Sequence, residues 1–207
     1  SLPWNNRGRA LLELERYDEA IACFDEAIRL NPQYDDAWFF KGDVLFEQET
    51  YREAIKCFDE AIRINPEFAL ALNAKGDSLN SLEIYEEAIA CFDKAIKIDS
   101  KFSLPWNNRG RALLELERYE EAIACFDEAI RLDPKDNYYS WSGKGTALYY
   151  LGQFKEAIQC YSQSIMLNSD SPASWHNKGV AFEQLGKHAE AATCYDQAIR
   201  LKSHLKS

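Results

Sequence analysis

The chain has 207 residues, of which 46% are hydrophobic and 28% are charged, as in an ordinary folded domain. Its 34 acidic and 24 basic side chains give a formal net charge of −10, which argues against nucleic acid or a membrane as a partner. The sequence contains no apolar run of about 18 residues, the length that a transmembrane helix requires. Its first residues do not resemble a secretory signal. Because the sequence begins without Met, we expect it to be a piece of a longer protein.

The cysteines recur at a nearly constant interval. Successive cysteines are separated by 34, 34, 34, 35 and 34 residues, and each one precedes Phe or Tyr. A fixed period indicates a structural repeat, in which equivalent cysteines would lie about 8–10 Å apart, too far for a disulfide. We therefore expect free thiols in a reducing, cytoplasmic compartment, with no metal and no other cofactor. The cysteines are Cys23, Cys57, Cys91, Cys125, Cys160 and Cys194.

Each period divides into two stretches with the spacing of an amphipathic helix. In the first copy, one side of the first stretch carries Trp4, Gly8, Leu11 and Glu15. One side of the second stretch carries Ala20, Phe24, Ala27 and Ile28. Glycine inside a helix costs about 1 kcal/mol relative to Ala, so its recurrence predicts a close crossing of the two helices. The pair Asn31-Pro32 predicts the end of the second helix.

The same residue types return at the same positions of every period. Glycine recurs as Gly8, Gly42, Gly76, Gly110, Gly145 and Gly179. Tryptophan recurs as Trp4, Trp38, Trp106, Trp141 and Trp175, with Leu72 in the third copy. Alanine recurs as Ala20, Ala54, Ala88, Ala122, Ala157 and Ala191, and three copies close with Pro32, Pro66 and Pro134. This pattern resembles the tetratricopeptide repeat across essentially the whole chain.

The resemblance implies an all-α fold, a right-handed α-solenoid of six helix-turn-helix repeats that forms one domain over residues 1–207. We predict repeats at 1–34, 35–68, 69–102, 103–137, 138–171 and 172–205, the last followed by an incomplete cap. Two segments, 1–32 and 103–134, agree at 30 of 32 positions. Packing does not demand identity at exposed positions, so this near-copy indicates duplication or homogenisation of the sequence.

The resemblance also implies a concave groove, lined mainly by the first helices, that holds peptides. On a helical wheel the side opposite the apolar stripe of each first helix supplies the candidate groove residues. They are Asn6, Arg9, Phe40, Asp43, Asp77, Asn108, Arg111, Tyr139, Thr146, Tyr150, Asn177 and Val180. The wheel predicts exposed side chains at these positions. It also predicts that Gly143 leaves a gap between Tyr139 and Tyr150 that is deep enough for an apolar side chain.

The charge of the chain is distributed unevenly. Residues 1–134 hold 28 acidic and 16 basic side chains, whereas residues 135–207 hold 6 acidic and 8 basic ones together with six of the eleven Tyr. This split has two explanations. The last two repeats derive from a different ancestral repeat, or the groove has an acidic part for basic residues and a neutral, tyrosine-rich part for apolar residues.

No set of residues predicts catalysis. The three His lack metal-ligand spacing, and Gly143-Lys144-Gly145 lacks the preceding Gly and strand of a phosphate loop. We therefore expect a non-catalytic protein–protein interaction scaffold that binds a peptide with basic and apolar residues. The alternatives are a regulatory or assembly arm of a larger protein or enzyme, and head-to-tail self-association. The sequence does not identify the partner.

Overall fold

The computed structural model describes residues 1–135 and 137–204. Within them it contains twelve α-helices and no strand, in two compact units, Ser1–Pro105 and Trp106–Ser207. The first unit holds α1 (Leu2–Glu13), α2 (Tyr17–Leu30), α3 (Asp35–Glu47), α4 (Tyr51–Ile64), α5 (Ala69–Ser81) and α6 (Tyr85–Ile98). Helix α7 (Ser103–Glu115) begins in the first unit and ends in the second. The second unit continues with α8 (Tyr119–Leu132), α9 (Tyr138–Tyr150), α10 (Phe154–Leu167), α11 (Pro172–Gln184) and α12 (His188–His204).

Helices that follow each other in the sequence pack together within each unit. In the first unit α1 to α6 form an unbroken series of neighbours, and in the second unit α8 to α12 do the same. The first helices of successive repeats also touch, since α1 meets α3, α3 meets α5, and α9 meets α11. We call the surface formed by α1, α3 and α5 in the first unit, and by α9 and α11 in the second, the first-helix face.

The recurring glycines lie where the two helices of a pair cross, as the sequence predicts. A methyl group placed on Gly42 would lie 2.6 Å from Cε1 of Phe58, whose ring is fully buried. The other five members of the series meet the ring that follows the cysteine of their own repeat in the same way. Glycine is therefore present because the aromatic ring occupies the space that a Cβ would need.

The six cysteines are free and buried, as predicted from their spacing. Burial raises the pKa of Cys57 and of Cys160 to about 11. A thiol with such a pKa stays protonated near neutral pH, which makes it a poor nucleophile. Among the described residues, no three His, Cys, Asp or Glu side chains are grouped as a metal would require. Nor does any described helix combine the length and apolar character needed to cross a membrane.

The turn between α1 and α2 contains a residue that the sequence analysis assigned to the first helix. Glu15 was expected on the apolar side of the first helix, but α1 ends at Glu13 and Glu15 lies in the turn with φ = 56°. Its N–H donates to the Leu12 carbonyl and the Arg16 N–H donates to the Leu11 carbonyl, at 2.9 Å each. These two bonds form a Schellman motif, which needs a left-handed residue at this point. The expectation was wrong because the helix ends at Glu13, so that Glu15, which the helical wheel assigned to the helix, belongs to the turn.

The left-handed residue is glycine in only two of the six turns. Gly152 and Gly186 have φ of 73° and 71°, whereas the same place in the first four repeats is taken by Glu. Those four residues, with φ between 56° and 62°, are Glu15, Glu49, Glu83 and Glu117. A side chain makes this backbone conformation costly by about 1 kcal/mol, because Cβ approaches the following carbonyl oxygen.

We expect Glu49→Gly to raise the free energy of unfolding by about 1 kcal/mol, since glycine removes the steric cost of the left-handed backbone. Chemical denaturation followed by circular dichroism measures the change. The matched control is Glu49→Ala, which removes the carboxylate but keeps Cβ and should give no comparable gain. Equal stability of the two variants would contradict the explanation.

Candidate functional site

The first unit has a cavity of about 190 Å³ on the first-helix face, between α3 and α5. Its walls combine aromatic and aliphatic side chains with three carboxylates. We call it the acidic cavity. It is lined by Phe39, Asp43, Phe46, Glu47, Leu70, Asn73, Ala74 and Asp77. The sequence placed Asp43 and Asp77 in the groove, and the structure brings both to one cavity.

Asp43 is a half-buried carboxylate in the acidic cavity. Burial, followed by the charge of Glu47, raises the pKa of Asp43. No ion pair joins Asp43 to a cation within the described residues. On the same helix, burial and then Asp35 raise the pKa of Asp36, while Arg9 lowers it. A cation that enters beside Asp43 would favour its ionised form.

The first helix of the first unit contributes a cation at the edge of this face. The Arg9 guanidinium lies over the Phe40 ring, 4.7 Å from its centroid. Phe40 in turn stacks on Phe24, with centroids 6.1 Å apart and planes inclined by 17°. Asn6, one turn earlier on α1, is exposed. The predicted residues Asn6, Arg9 and Phe40 therefore lie near one another, but Phe40 is partly engaged in packing between helices.

The second unit has a cavity of about 130 Å³ on its first-helix face. It opens between α9 and α11 and reaches down to a side chain of α10. We call it the tyrosine cavity. It is lined by Thr146, Tyr149, Tyr150, Tyr161, Asn177 and Val180. Four of these, Thr146, Tyr150, Asn177 and Val180, were predicted from the sequence.

The floor of the tyrosine cavity is a buried hydroxyl pair that sequence reasoning missed. Tyr161 is 2% exposed, and burial raises its pKa to about 12. Its hydroxyl lies 3.2 Å from Oγ1 of Thr146, which donates to the Ser142 carbonyl at 3.1 Å. The first unit has Phe24, Phe58 and Phe92 at the equivalent place, so the extra hydroxyl was the available signal.

Tyr150 forms an exposed wall of the tyrosine cavity. Its side chain is 60% exposed and stacks on Tyr119, with centroids 5.2 Å apart and planes inclined by 14°. Tyr139 is 64% exposed and lies against Tyr138, with centroids 3.9 Å apart. Tyr139 does not line the cavity, although it belongs to the same helix.

Comparisons with known proteins identify the repeat. Sequence profiles described as tetratricopeptide repeat match residues 5–66, 44–101, 104–136 and 172–205, and a TPR repeat profile matches residues 145–186. The chain belongs to the tetratricopeptide repeat family. No curated protein matches the chain in sequence.

Solved structures of tetratricopeptide proteins have the same fold. The PilF protein of Pseudomonas aeruginosa aligns with a TM-score of 0.84 and 20% identity, over 96% of this chain and 90% of that one. YrrB, described as a TPR protein with an unusual peptide-binding site, aligns with a TM-score of 0.67 and 21% identity, over 87% and 92%. MamA of Desulfovibrio magneticus RS-1 aligns with a TM-score of 0.74 and 18% identity, over 84% and 97%. Identities this low establish the fold alone.

The two cavities occupy equivalent places in the tetratricopeptide repeats. Counting from the recurring glycine of each first helix, Thr146 corresponds to Asp43 and Tyr150 to Glu47. On the neighbouring helix, Val180 corresponds to Asp77. One opening between first helices therefore occurs in both units, with carboxylates in one and neutral side chains in the other.

Two expectations about the groove are corrected by the packing of successive tetratricopeptide repeats. Gly143 provides no gap, because a Cβ built on it would lie 2.5 Å from Cζ of Phe126. Asn108, expected to be exposed, is 5% exposed. Gly143 and Phe40 each contact a ring of the preceding repeat, Phe126 and Phe24 respectively. A wheel drawn for one isolated helix cannot separate the side that meets the preceding repeat from the side that lines the groove. Arg111, one turn further along α7, is exposed as predicted.

A further cavity of about 590 Å³ lies on the other side of α9, between α8 and α10. Ile123, Trp141 and Leu148 supply apolar walls, and Cys160 lies at its base. The Nζ atom of Lys144 at its edge lies 2.6 Å from Oδ1 of Asp127. Because the Cys160 thiol has a pKa of about 11 and Lys144 is paired, these side chains do not form an activated nucleophile.

Proposed function

We propose that the chain is a non-catalytic protein-interaction scaffold that binds a peptide segment of a partner protein on its first-helix face. The observation that carries the proposal is the pair of cavities at equivalent places, both lined by aromatic side chains. Aromatic residues beside a few polar groups supply most of the binding energy in many interfaces. The likeness to YrrB, whose description includes a peptide-binding site, agrees with a peptide as the ligand.

The acidic cavity is suited to a basic side chain. Asp43, Glu47 and Asp77 attract Lys or Arg, and the aliphatic stem of such a residue can cover Phe46 and Leu70. The raised pKa of Asp43 supports this assignment, because an entering cation relieves the unfavourable burial of its charge. We assign the acidic cavity to a Lys or Arg of the partner.

The tyrosine cavity is suited to an apolar side chain. Its volume of about 130 Å³ accommodates one aliphatic or aromatic group between Tyr149, Tyr150 and Val180. Asn177 makes no hydrogen bond within the described residues, so its amide is available to donate to and accept from a peptide group. We assign this cavity to an apolar anchor whose backbone bonds to Asn177.

Selection from a displayed library of random peptides tests the proposed function. The unaltered chain serves as bait, and the variant Asp43→Asn/Asp77→Asn/Tyr150→Ala serves as the counter-selection. These substitutions alter both cavities and leave the buried rings in place. We expect enriched peptides to contain apolar and basic residues and to bind the unaltered chain more tightly. A library that yields no peptide able to distinguish the two baits would contradict binding at these cavities.

We expect salt to weaken binding of a selected basic peptide, because exposed charges are screened over about 8 Å at physiological ionic strength. Fluorescence anisotropy with a labelled peptide, measured across a salt series, gives the dependence. The variant Asp43→Asn/Asp77→Asn should bind more weakly and respond less to salt. If its salt dependence equals that of the unaltered chain, the acidic cavity does not hold the basic residue.

A further inference from the structure

Two hydroxyl groups form the floor of the tyrosine cavity, and each of them has one proton to donate. The Thr146 hydroxyl donates its proton to the Ser142 carbonyl at 3.1 Å, since a carbonyl oxygen can only accept. The Oγ1 atom of Thr146 also lies 3.2 Å from the hydroxyl oxygen of Tyr161. Because the proton of Thr146 is already engaged, the hydrogen bond between the two side chains uses the proton of Tyr161. Tyr161 is therefore the donor and Thr146 the acceptor.

This arrangement leaves the Tyr161 oxygen as an acceptor that has no proton for a ligand. Burial raises the pKa of Tyr161 to about 12, so the hydroxyl keeps its proton near neutral pH. Within residues 1–135 and 137–204 the hydroxyl makes no hydrogen bond besides the one with Thr146, so an acceptor position on its oxygen is unused. Since Tyr161 lines the cavity, a group that enters can bond to this oxygen only as a donor.

The Tyr161 hydroxyl is not required for the packing of the ring. The ring meets the recurring glycine of its repeat in the same way as the rings of the other repeats do. Four repeats fill this place with phenylalanine, namely Phe24, Phe58, Phe92 and Phe126. The sixth repeat has Tyr195, whose hydroxyl donates to Oε2 of Glu183 at 2.8 Å. Its place equivalent to Thr146 is taken by Val180, so the combination of Thr and Tyr occurs in the fifth repeat alone.

We propose that the apolar side chain held by the tyrosine cavity carries a hydrogen-bond donor, as Tyr and Thr do, and that the Tyr161 oxygen accepts from it. The inference deepens the proposed function and rests on it. The walls formed by Tyr150 and Val180 contact the apolar part of such a side chain, and its donor bonds to the floor. An anchor of the same shape without a donor, such as Phe or Val, would separate the Tyr161 oxygen from water without replacing the hydrogen bond, which costs affinity. Tyr161 is therefore a specificity-determining residue of the cavity.

Selection from a displayed library of random peptides on two baits, the unaltered chain and Tyr161→Phe, tests the proposal. The anchor of a selected peptide is identified as the residue whose replacement by Ala abolishes the effect of Tyr150→Ala on binding. On the unaltered chain we expect anchors that carry a donor. On Tyr161→Phe, which keeps the ring and removes the acceptor, we expect no such enrichment. Phenylalanine is fully buried at this place in four repeats, so the variant should fold, and circular dichroism verifies that it does.

Synthetic peptides that differ only in the donor measure its effect on affinity. With the unaltered chain, replacing an anchor Tyr with Phe, or an anchor Thr with Val, should weaken binding about 3- to 10-fold, as the loss of one hydrogen bond does. With Tyr161→Phe the same replacement should leave the affinity nearly unchanged. The matched control is Tyr195→Phe, which removes the hydroxyl of the equivalent ring in α12, outside the cavity. This control should keep the full preference for the donor.

The outcomes separate this inference from the proposed function. Peptides that depend on Tyr150 but have an anchor without a donor, or bind equally well with Phe or Val at the anchor, would overturn the inference and leave the proposed function intact. The same holds if Tyr161→Phe retains the full preference for the donor. A chain that selects no peptide dependent on Tyr150 would contradict the proposed binding at the tyrosine cavity, and the inference with it.

Discussion

Replacing Phe58 with alanine is expected to lower the free energy of unfolding by about 3–5 kcal/mol, the largest single effect that the structure predicts. The ring is fully buried and fills the space beside Gly42. Its removal forfeits the transfer free energy of the ring and leaves a cavity between two helices. Denaturation followed by far-ultraviolet circular dichroism measures the loss.

Substitution of Gly42 tests whether the Phe58 ring is the reason for the glycine. Gly42→Ala should lower the free energy of unfolding when the ring is present and raise it when the ring is absent. In the unaltered chain Gly42→Ala places Cβ about 2.6 Å from Phe58, and the overpacking should cost about 1–3 kcal/mol. With Phe58→Ala present, the same substitution meets no ring. It should then stabilise the chain by up to about 1 kcal/mol, as Ala does relative to Gly inside a helix.

The double-mutant cycle of Gly42→Ala and Phe58→Ala tests whether the two residues interact energetically. A destabilising effect of Gly42→Ala in both backgrounds would show that the ring is not the reason for the glycine. Repeat arrays can unfold in parts, so the transitions are compared by both fluorescence and circular dichroism. Non-coincident transitions would assign the loss to the altered part of the array.

The packing of each helix pair could be predicted from the sequence because the same glycine and aromatic residue recur in every repeat. Gly8 with Phe24, or Gly76 with Phe92, would be weak evidence alone, but six examples in phase identify a structural requirement. Asn31 and Pro32 likewise located the end of α2, which closes at Leu30. Period and residue type were sufficient because these contacts lie within one repeat.

Contacts between repeats were predicted less well. Gly143 and Asn108 were assigned to an open groove, but Gly143 lies against Phe126 of the preceding repeat and Asn108 is buried. Tyr161 was noted only as the aromatic residue after a cysteine, whereas its ring is buried and its hydroxyl reaches the floor of a cavity. The conformation of Glu15 also escaped prediction, because glutamate gives no signal for a left-handed backbone. Such features depend on neighbours or on turn geometry that a wheel does not contain.

The clearest functional test concerns Tyr150. With a peptide selected on the unaltered chain, we expect Tyr150→Ala to weaken binding about 10- to 100-fold, as the loss of a central aromatic contact commonly does. The substitution removes one wall of the tyrosine cavity, and within the protein it removes the ring contacts of the exposed Tyr150 with Tyr119 and Tyr149. Isothermal titration calorimetry gives the affinity, and thermal denaturation verifies that the fold is retained.

Met166→Ala supplies the matched control for Tyr150→Ala. Met166 is a large apolar residue of the same unit, 71% exposed on α10, and it does not line the tyrosine cavity. Loss of exposed apolar area alone would weaken binding similarly in both variants, whereas a cavity contact affects only Tyr150→Ala. Combining Tyr139→Ala with Tyr150→Ala then measures whether the neighbouring tyrosine extends the contact. If the combined variant binds the peptide as tightly as the unaltered chain, the tyrosine cavity is not the site, and the peptide must bind elsewhere.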